Sequence, residues 1–188
     1  MNAFTAAQSV ESRGKELLKP WLLEQSDSGA VVWTTKGALH RELQEDFGDV
    51  LFNTPGEQVW CAELKVEERW TGNLFLEVWS NRNLESRDNH TRLGSNVGWM
   101  LKQKADLLFY YFLDVDRLLV MPLFQLKRWA FGYGDIVGQI WKYDQKKQGR
   151  YQQMNDTWGA IVKVSDLQGK VRVRQFSLKQ LSMLDEHA

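Results

Sequence analysis

The 188-residue chain holds one cysteine, Cys61. That excludes an internal disulfide and any zinc site built from cysteines, and it suits a reducing compartment. Long apolar runs are also missing: the longest, LLFYYFL at 107–113, falls far short of the roughly 20 residues a membrane span needs. No membrane association is expected. The opening MNAFTAAQSVESRGKE lacks a basic start followed by an apolar block, so it does not read as a secretory signal and the expected location is the cytoplasm. Internal repeats and low-complexity tracts are absent. His40, His90 and His187 have no mutual spacing that suggests zinc or a catalytic triad.

What is present describes a globular protein. Hydrophobic residues make up 43% and charged residues 26% of the chain, and nine tryptophans supply large apolar surface. The length suits a single domain over residues 1–188, able to bury one substantial core. The net charge of zero hides an asymmetry: residues 1–100 carry ten Lys and Arg against fifteen Asp and Glu, and residues 101–188 carry fourteen against nine. Either charge scatters this way by chance, or a cation-binding half is joined to a polyanion-binding half. On the second reading Lys102, Lys104, Lys127 and Arg128 are the candidate nucleic-acid contacts; for Lys102 and Lys104 a solvated helix face is the plainer explanation.

Apolar spacing over 7–24 predicts a helix that loses regularity at Pro20. SDSGAVVWTTKG reads as loop or short strand, and ALHRELQEDFGD is ambiguous between a helical turn and an irregular approach to a hairpin. In FGDVLFNTPGEQVWCAELKV, residues 47–66, two apolar runs flank an Asn-Thr-Pro-Gly turn, the pattern of a β-hairpin. LFLEVWS is expected to add a third consecutive antiparallel strand. The polar stretch 80–96 reads as a long surface loop of the kind that often carries function. VGWMLKQKA suits a short helix, and DLLFYYFLDVDRLLVMPL suits two strands around a turn at 114–117. FQLKRWAFGYGDIVGQIWKYDQKK has helical spacing broken by glycines, and GAIVKVSDLQGKVRVRQFSL gives two short closing strands. The class is α+β with a mixed or mostly antiparallel sheet. Cys61, Trp99, Trp129, Trp141, Tyr110 and Tyr111 are expected in the core.

The hairpin carries the chemistry. Glu63 and Lys65, two apart on a strand, share a face about 7 Å from each other. Folding about Gly56 sets Asp49 opposite Glu63 on that face; a slip of one residue would separate them. Two carboxylates this close repel when ionised, and a divalent cation relieves the conflict. Mg²⁺ suits such a pair because it keeps waters and phosphate oxygens as its other ligands, and a metal-bound water is acidic enough to act as a nucleophile. Lys65 beside it can orient that water and counter charge on phosphorus. The alternative is a solvated ion pair on an exposed sheet face.

Asp49 followed by Glu63-Leu64-Lys65, with a helix before and a strand and helix after, resembles the PD-(D/E)XK nuclease superfamily, whose restriction-endonuclease-like core is αβββαβ around a central mixed sheet flanked by helices. The resemblance covers about residues 8–115, leaving 116–188 as a C-terminal elaboration. GNLFLEVWSN and GWMLKQKADLLFYYF are similar to small phage- or plasmid-type members. Gly48 stands where the superfamily loosely keeps proline. The resemblance implies a Mg²⁺-dependent nuclease, with Mn²⁺ able to substitute, acting on DNA, with RNA left open. Asp49 and Glu63 would be metal ligands and Lys65 the third catalytic residue. Glu16, on the helix that adds a carboxylate in many relatives, and Gln44 and Glu77 would stand behind them; surface positions are the plainer reading of the first two. Asp106 would be a neighbour of the site. A homodimer would be the simplest way to cut both strands of a duplex. The rival is a nuclease-fold protein that binds nucleic acid or protein, or inhibits, without cleaving, which the zero net charge favours.

Overall fold

The computed structural model describes residues 3–26, 31–34, 44, 46–54, 58–80, 97–134, 136–147 and 157–178. In chain order its elements are α1 (Ala3–Gln25), β1 (Val31–Trp33), β2 (Val50–Thr54), β3 (Gln58–Glu67), β4 (Asn73–Trp79), α2 (Trp99–Lys102), β5 (Leu107–Phe112) and β6 (Arg117–Pro122). After these come α3 (Leu123–Phe131), β7 (Gly132–Tyr133), β8 (Ile136–Val137), a 3₁₀ turn (Ile140–Lys142), β9 (Gln145–Lys147), β10 (Trp158–Lys163), α4 (Val164–Leu167) and β11 (Arg174–Phe176). The class is α+β, as expected. Among the described residues no helix is long and apolar enough to cross a membrane.

A six-stranded mixed sheet runs in the order β1-β2-β3-β5-β6-β11. Its hairpin has the register the sequence calls for, with Val50 opposite Ala62 and Thr54 opposite Gln58, and β3 is parallel to β5 with Ala62 opposite Leu107. Every other neighbour pair is antiparallel. Because side chains alternate across a strand, β3 and β5 feed two cores. Ala62, Leu64, Phe109 and Tyr111 pack beneath Leu18, Trp21 and Leu22 of α1. Leu108, Tyr110 and Phe112 enter the opposite cluster with β4, Trp99, Met100 and α3. Each of these large side chains, buried in full, contributes roughly 1.5–3 kcal/mol.

α1 meets the sheet closely. A Cβ at Gly14 would stand 2.5 Å from Val66 Cγ2, so glycine is what lets the helix approach β3. The helix also begins earlier than expected and continues through Pro20. Glu16, whose carbonyl loses its amide partner there, and Pro20 are both exposed, so water can take the bond.

LFLEVWS does not extend the hairpin. β3 already has β2 on one edge and β5 on the other, and β4 lies instead in a separate sheet, β4-β10-β9, with Leu76 opposite Ala160. Its inward side chains Leu74, Leu76 and Val78 are fully buried over the large sheet. A tyrosine joins the layers: Tyr110 of β5 accepts the Phe75 amide at 3.1 Å and donates to Glu67 at 3.2 Å. The glycine-broken stretch after residue 123 is helical only to Phe131. Gly132, at φ 84°, ends α3 and opens a small β-hairpin, β7-β8, so Trp141 is 58% exposed rather than core. Trp99, Trp129, Tyr110, Tyr111 and Cys61 are buried as expected. The two closing strands separate, β10 into the small sheet and β11 onto the edge of the large one. Of the loop expected at 80–96, residues 81–96 lie outside the described residues.

Candidate functional site

The segment before β2 is bent so that Asp49 enters the hairpin from its end. Gly48 has φ 79°, which glycine adopts freely. Its amide donates to the Gln44 carbonyl at 2.9 Å, and a Cβ there would sit 2.5 Å from the Ala62 carbonyl oxygen. Proline, fixed near φ −65°, has no place in this bend, which gives a physical reason for glycine at this position. The Thr34 hydroxyl donates to the Gly48 carbonyl at 2.8 Å and holds the bend from the β1 side. The next amide, that of Asp49, donates to Ala62 at 2.8 Å. Asp49 Oδ2 accepts the Leu64 amide at 2.9 Å, and Oδ1 makes no hydrogen bond among the described residues.

Glu63 is 6% exposed and fully engaged. One carboxylate oxygen accepts from the Lys65 ammonium; the other accepts from Gln103 Nε2 at 2.5 Å. Gln103 is buried in the link from α2 to β5, and Nε2 also donates to the Gln44 carbonyl at 2.9 Å, so one amide ties the approach to β2, the glutamate and α2 together. Its Oε1 accepts from the amides of Lys104 and Ala105, which fixes the orientation. Lys127 of α3 donates to the Gln103 carbonyl and, at 3.3 Å, to that of Leu101. Lys65 lies 5.4 Å from the centre of the Trp99 ring, within cation–π range.

The electrostatics link these groups. Burial, with the Glu63 charge added to it, pushes Asp49 up from 3.8 to about 6, against the pull of Lys65 and the Leu64 amide. Burial works against the charge of Lys65, but Glu63, Asp49 and Glu77 together hold its ammonium above the ordinary range. Burial lowers Lys127 and the Glu63 charge opposes that shift. Asp49, Glu63 and Lys65 are thus one electrostatic unit, with Lys127 and Glu77 within its field.

The other expected residues divide. Glu77 of β4 accepts from the Ser80 hydroxyl at 2.5 Å and acts on Lys65 through its charge. Gln44 takes part through its backbone carbonyl, not its side chain. Glu16 is exposed on α1, which packs on the face turned away from Glu63. Of the basic candidates, Lys127 borders the site, Lys104 is paired with Asp46 at 2.6 Å, Lys102 is half-buried on α2, and Arg128 points out over Tyr133. Asp106 is at the start of β5, where Oδ2 accepts the Cys61 amide at 3.0 Å and its thiol at 3.1 Å. Burial first, and that carboxylate second, push the thiol to about 11, so Cys61 is no nucleophile at neutral pH. Gln103 is the site residue that sequence reasoning missed. Only the parallel β3–β5 register brings it to Glu63, and nothing in its local sequence announces that pairing.

Among the described residues no group of three or more His, Cys, Asp or Glu side chains could hold a metal ion. Asp49 and Glu63 are two carboxylates close enough to act on each other's charge, and Mg²⁺ is usually held by one or two carboxylates. Asp49 fits that role best, being held in an acid-raising corner with one oxygen free of hydrogen bonds among the described residues. Compared with protein-family models, curated proteins and solved structures, the chain gives no match in any of the three.

Proposed function

We propose that the protein is a metal-dependent phosphodiesterase acting on nucleic acid, DNA first, with Asp49, Glu63 and Lys65 as its working residues. The observation that carries this reading is the convergence of a raised-pKa aspartate, a buried glutamate and a lysine at the β2–β3 junction. The run α1, β1, β2, β3, α2, β5, with the first three strands adjacent and β5 parallel to β3, supports a restriction-endonuclease-like core around it. In that core β4 is an insertion, and residues after β5 add the rest.

Asp49 and Glu63 would hold Mg²⁺, or Mn²⁺ in its place, which when bound supplies a more acidic water and offsets phosphate charge. Glu63 must then share or yield the oxygen that Lys65 occupies. Released from that ion pair, the ammonium of Lys65 is free to orient the attacking water and to donate to the phosphate oxygens as charge builds. Gln103 keeps Glu63 in one rotamer through the exchange, and Lys127 holds the Gln103 backbone.

The rival, a nuclease-fold protein that binds without cutting, draws on one feature: Lys65 and Gln103 already satisfy both oxygens of Glu63. Incubation of the full chain with supercoiled, linear and single-stranded DNA and with RNA, in Mg²⁺, Mn²⁺ or chelator, separates the two. Cleavage that requires the metal and stops in chelator supports the enzyme. A protein that cuts nothing under any metal condition, yet binds nucleic acid or a protein tightly, is the rival.

A further inference from the structure

Among the described residues, nothing wholly covers the face of the large sheet under α1. Beyond the C-terminal end of that helix it opens into a groove of about 770 Å³, floored by strand residues that alternate toward it, Phe52, Phe109 and Phe176 among them. The volume is in the range of built binding sites, about 300–1,000 Å³. Two features of its rim are unlike a buried core left ajar. Phe124, on the first turn of α3, is 65% exposed, and Trp60 is half-buried with its indole N–H donated to Thr54. Arg172 and Arg174 are exposed on the approach to β11 and on the strand itself, and neither forms an ion pair among the described residues. Lys104 adds a third cation, shared with Asp46. Asp106 is the one acid among the described lining residues, and Cys61 occupies its Oδ2.

We propose that this groove binds a short run of single-stranded nucleic acid. Aromatic faces beside unpaired arginines are what a strand of splayed bases needs: each base has a π-face to stack, and each linkage a charge to neutralise. A duplex cannot use Phe124 and Trp60 this way, because its base faces are hidden against one another. The groove adjoins the carboxylate site, since Asp106, on its lining, is bonded to Cys61, two residues and so roughly 7 Å along β3 from Glu63. A strand lodged on the α1 face would thus pass the sheet end at 104–106 toward Glu63 on the other face. As a statement about substrate, single-stranded or flapped rather than blunt, this rests on the nuclease reading; as a binding site it stands apart from it.

The test is fluorescence anisotropy of the full chain with fluorescein-labelled dT12 and with a blunt 12-base-pair duplex, in chelator so that nothing is cut. Wild type is expected to bind dT12 more tightly than the duplex. Phe124→Ala should weaken dT12 roughly tenfold, within the range for loss of one stacked base. The double change Arg172→Ala with Arg174→Ala should weaken it and flatten the salt dependence, by about 0.7 in slope for each phosphate no longer neutralised. Both sites are exposed, and each variant is to be checked for folding by circular dichroism before its binding is scored. Variants that bind dT12 like wild type, a preference for duplex, or no dT12 binding at low salt would each overturn the proposal. So would a concentration-dependent dimer that Phe124→Ala abolishes while dT12 is ignored, which assigns the groove to a second copy. Wild-type cleavage in Mg²⁺ is scored separately: a protein that never cuts but loses dT12 on groove substitution fails the nuclease reading and keeps this one.

Discussion

At the residue scale the two hairpin carboxylates are held in opposite ways, Glu63 by complete hydrogen bonding and Asp49 at the cost of its charge. A carboxyl raised from 3.8 to about 6 favours the protonated folded state, so its contribution to stability is full below pH 4 and is lost as pH rises through 6. Asp49→Asn keeps the acceptor for the Leu64 amide and removes that loss. Its stability relative to wild type should therefore grow between pH 4 and 7, by roughly 2–3 kcal/mol, as read from urea midpoints across pH. Mg²⁺ should recover part of this for wild type above pH 6 and none for the variant; equal pH dependence of the two proteins would remove the strained-carboxylate argument. Lys65→Ala tests the other partner. If the protein is the proposed nuclease, binding of the divalent ion, measured by calorimetry, should survive, whereas turnover should fall 10²-fold or more, as expected of an ammonium that acts on the transition state. Cleavage at the wild-type rate would move the activity elsewhere. These three residues were legible because strand alternation and a turn fix which side chains share a face. Gln103 was not: its place depends on a parallel pairing across some forty residues of intervening chain, and local spacing holds no trace of it.

At the scale of elements, the hairpin works because its entry is bent, and the bend is Gly48. Gly48→Ala must place a Cβ 2.5 Å from the Ala62 carbonyl while holding φ at 79°. A loss on the order of 1–3 kcal/mol is expected, measured by chemical unfolding, together with, on the proposed metal site, weaker divalent-ion binding as Asp49 shifts. An unchanged stability would mean that β2 can shift to make room. The sequence showed the hairpin and its register since a turn, alternation and charge placement agreed there. It misplaced LFLEVWS because a strand pattern states which face is apolar and not which edge it will join. Both edges of β3 were already taken, by β2 and by a strand that arrives only after α2. It likewise carried the helix at 123 too far, since apolar spacing continued past glycines whose φ values turn the chain.

At the scale of the molecule, two sheets are packed face to face, and one polar link between them is the Tyr110 hydroxyl, bonded to the Phe75 amide and to Glu67. Tyr110→Phe keeps the ring and orphans that amide, at a cost of about 1–3 kcal/mol. Amide exchange should then speed up in β4 and β10 more than in β3 and β5; uniform acceleration would show that the layers open as one unit. The same two-sheet plan sets a timetable. β4 leaves the ribosome early, yet its partner β10 is made roughly 80 to 90 positions later, with Trp79 opposite Trp158 and Asn73 opposite Lys163. At about 5–20 residues per second, a nascent chain carries an unpaired strand for some seconds before its mate exists, and across that interval the apolar side chains Leu74, Leu76 and Val78, which the finished protein buries in full, form an adhesive face.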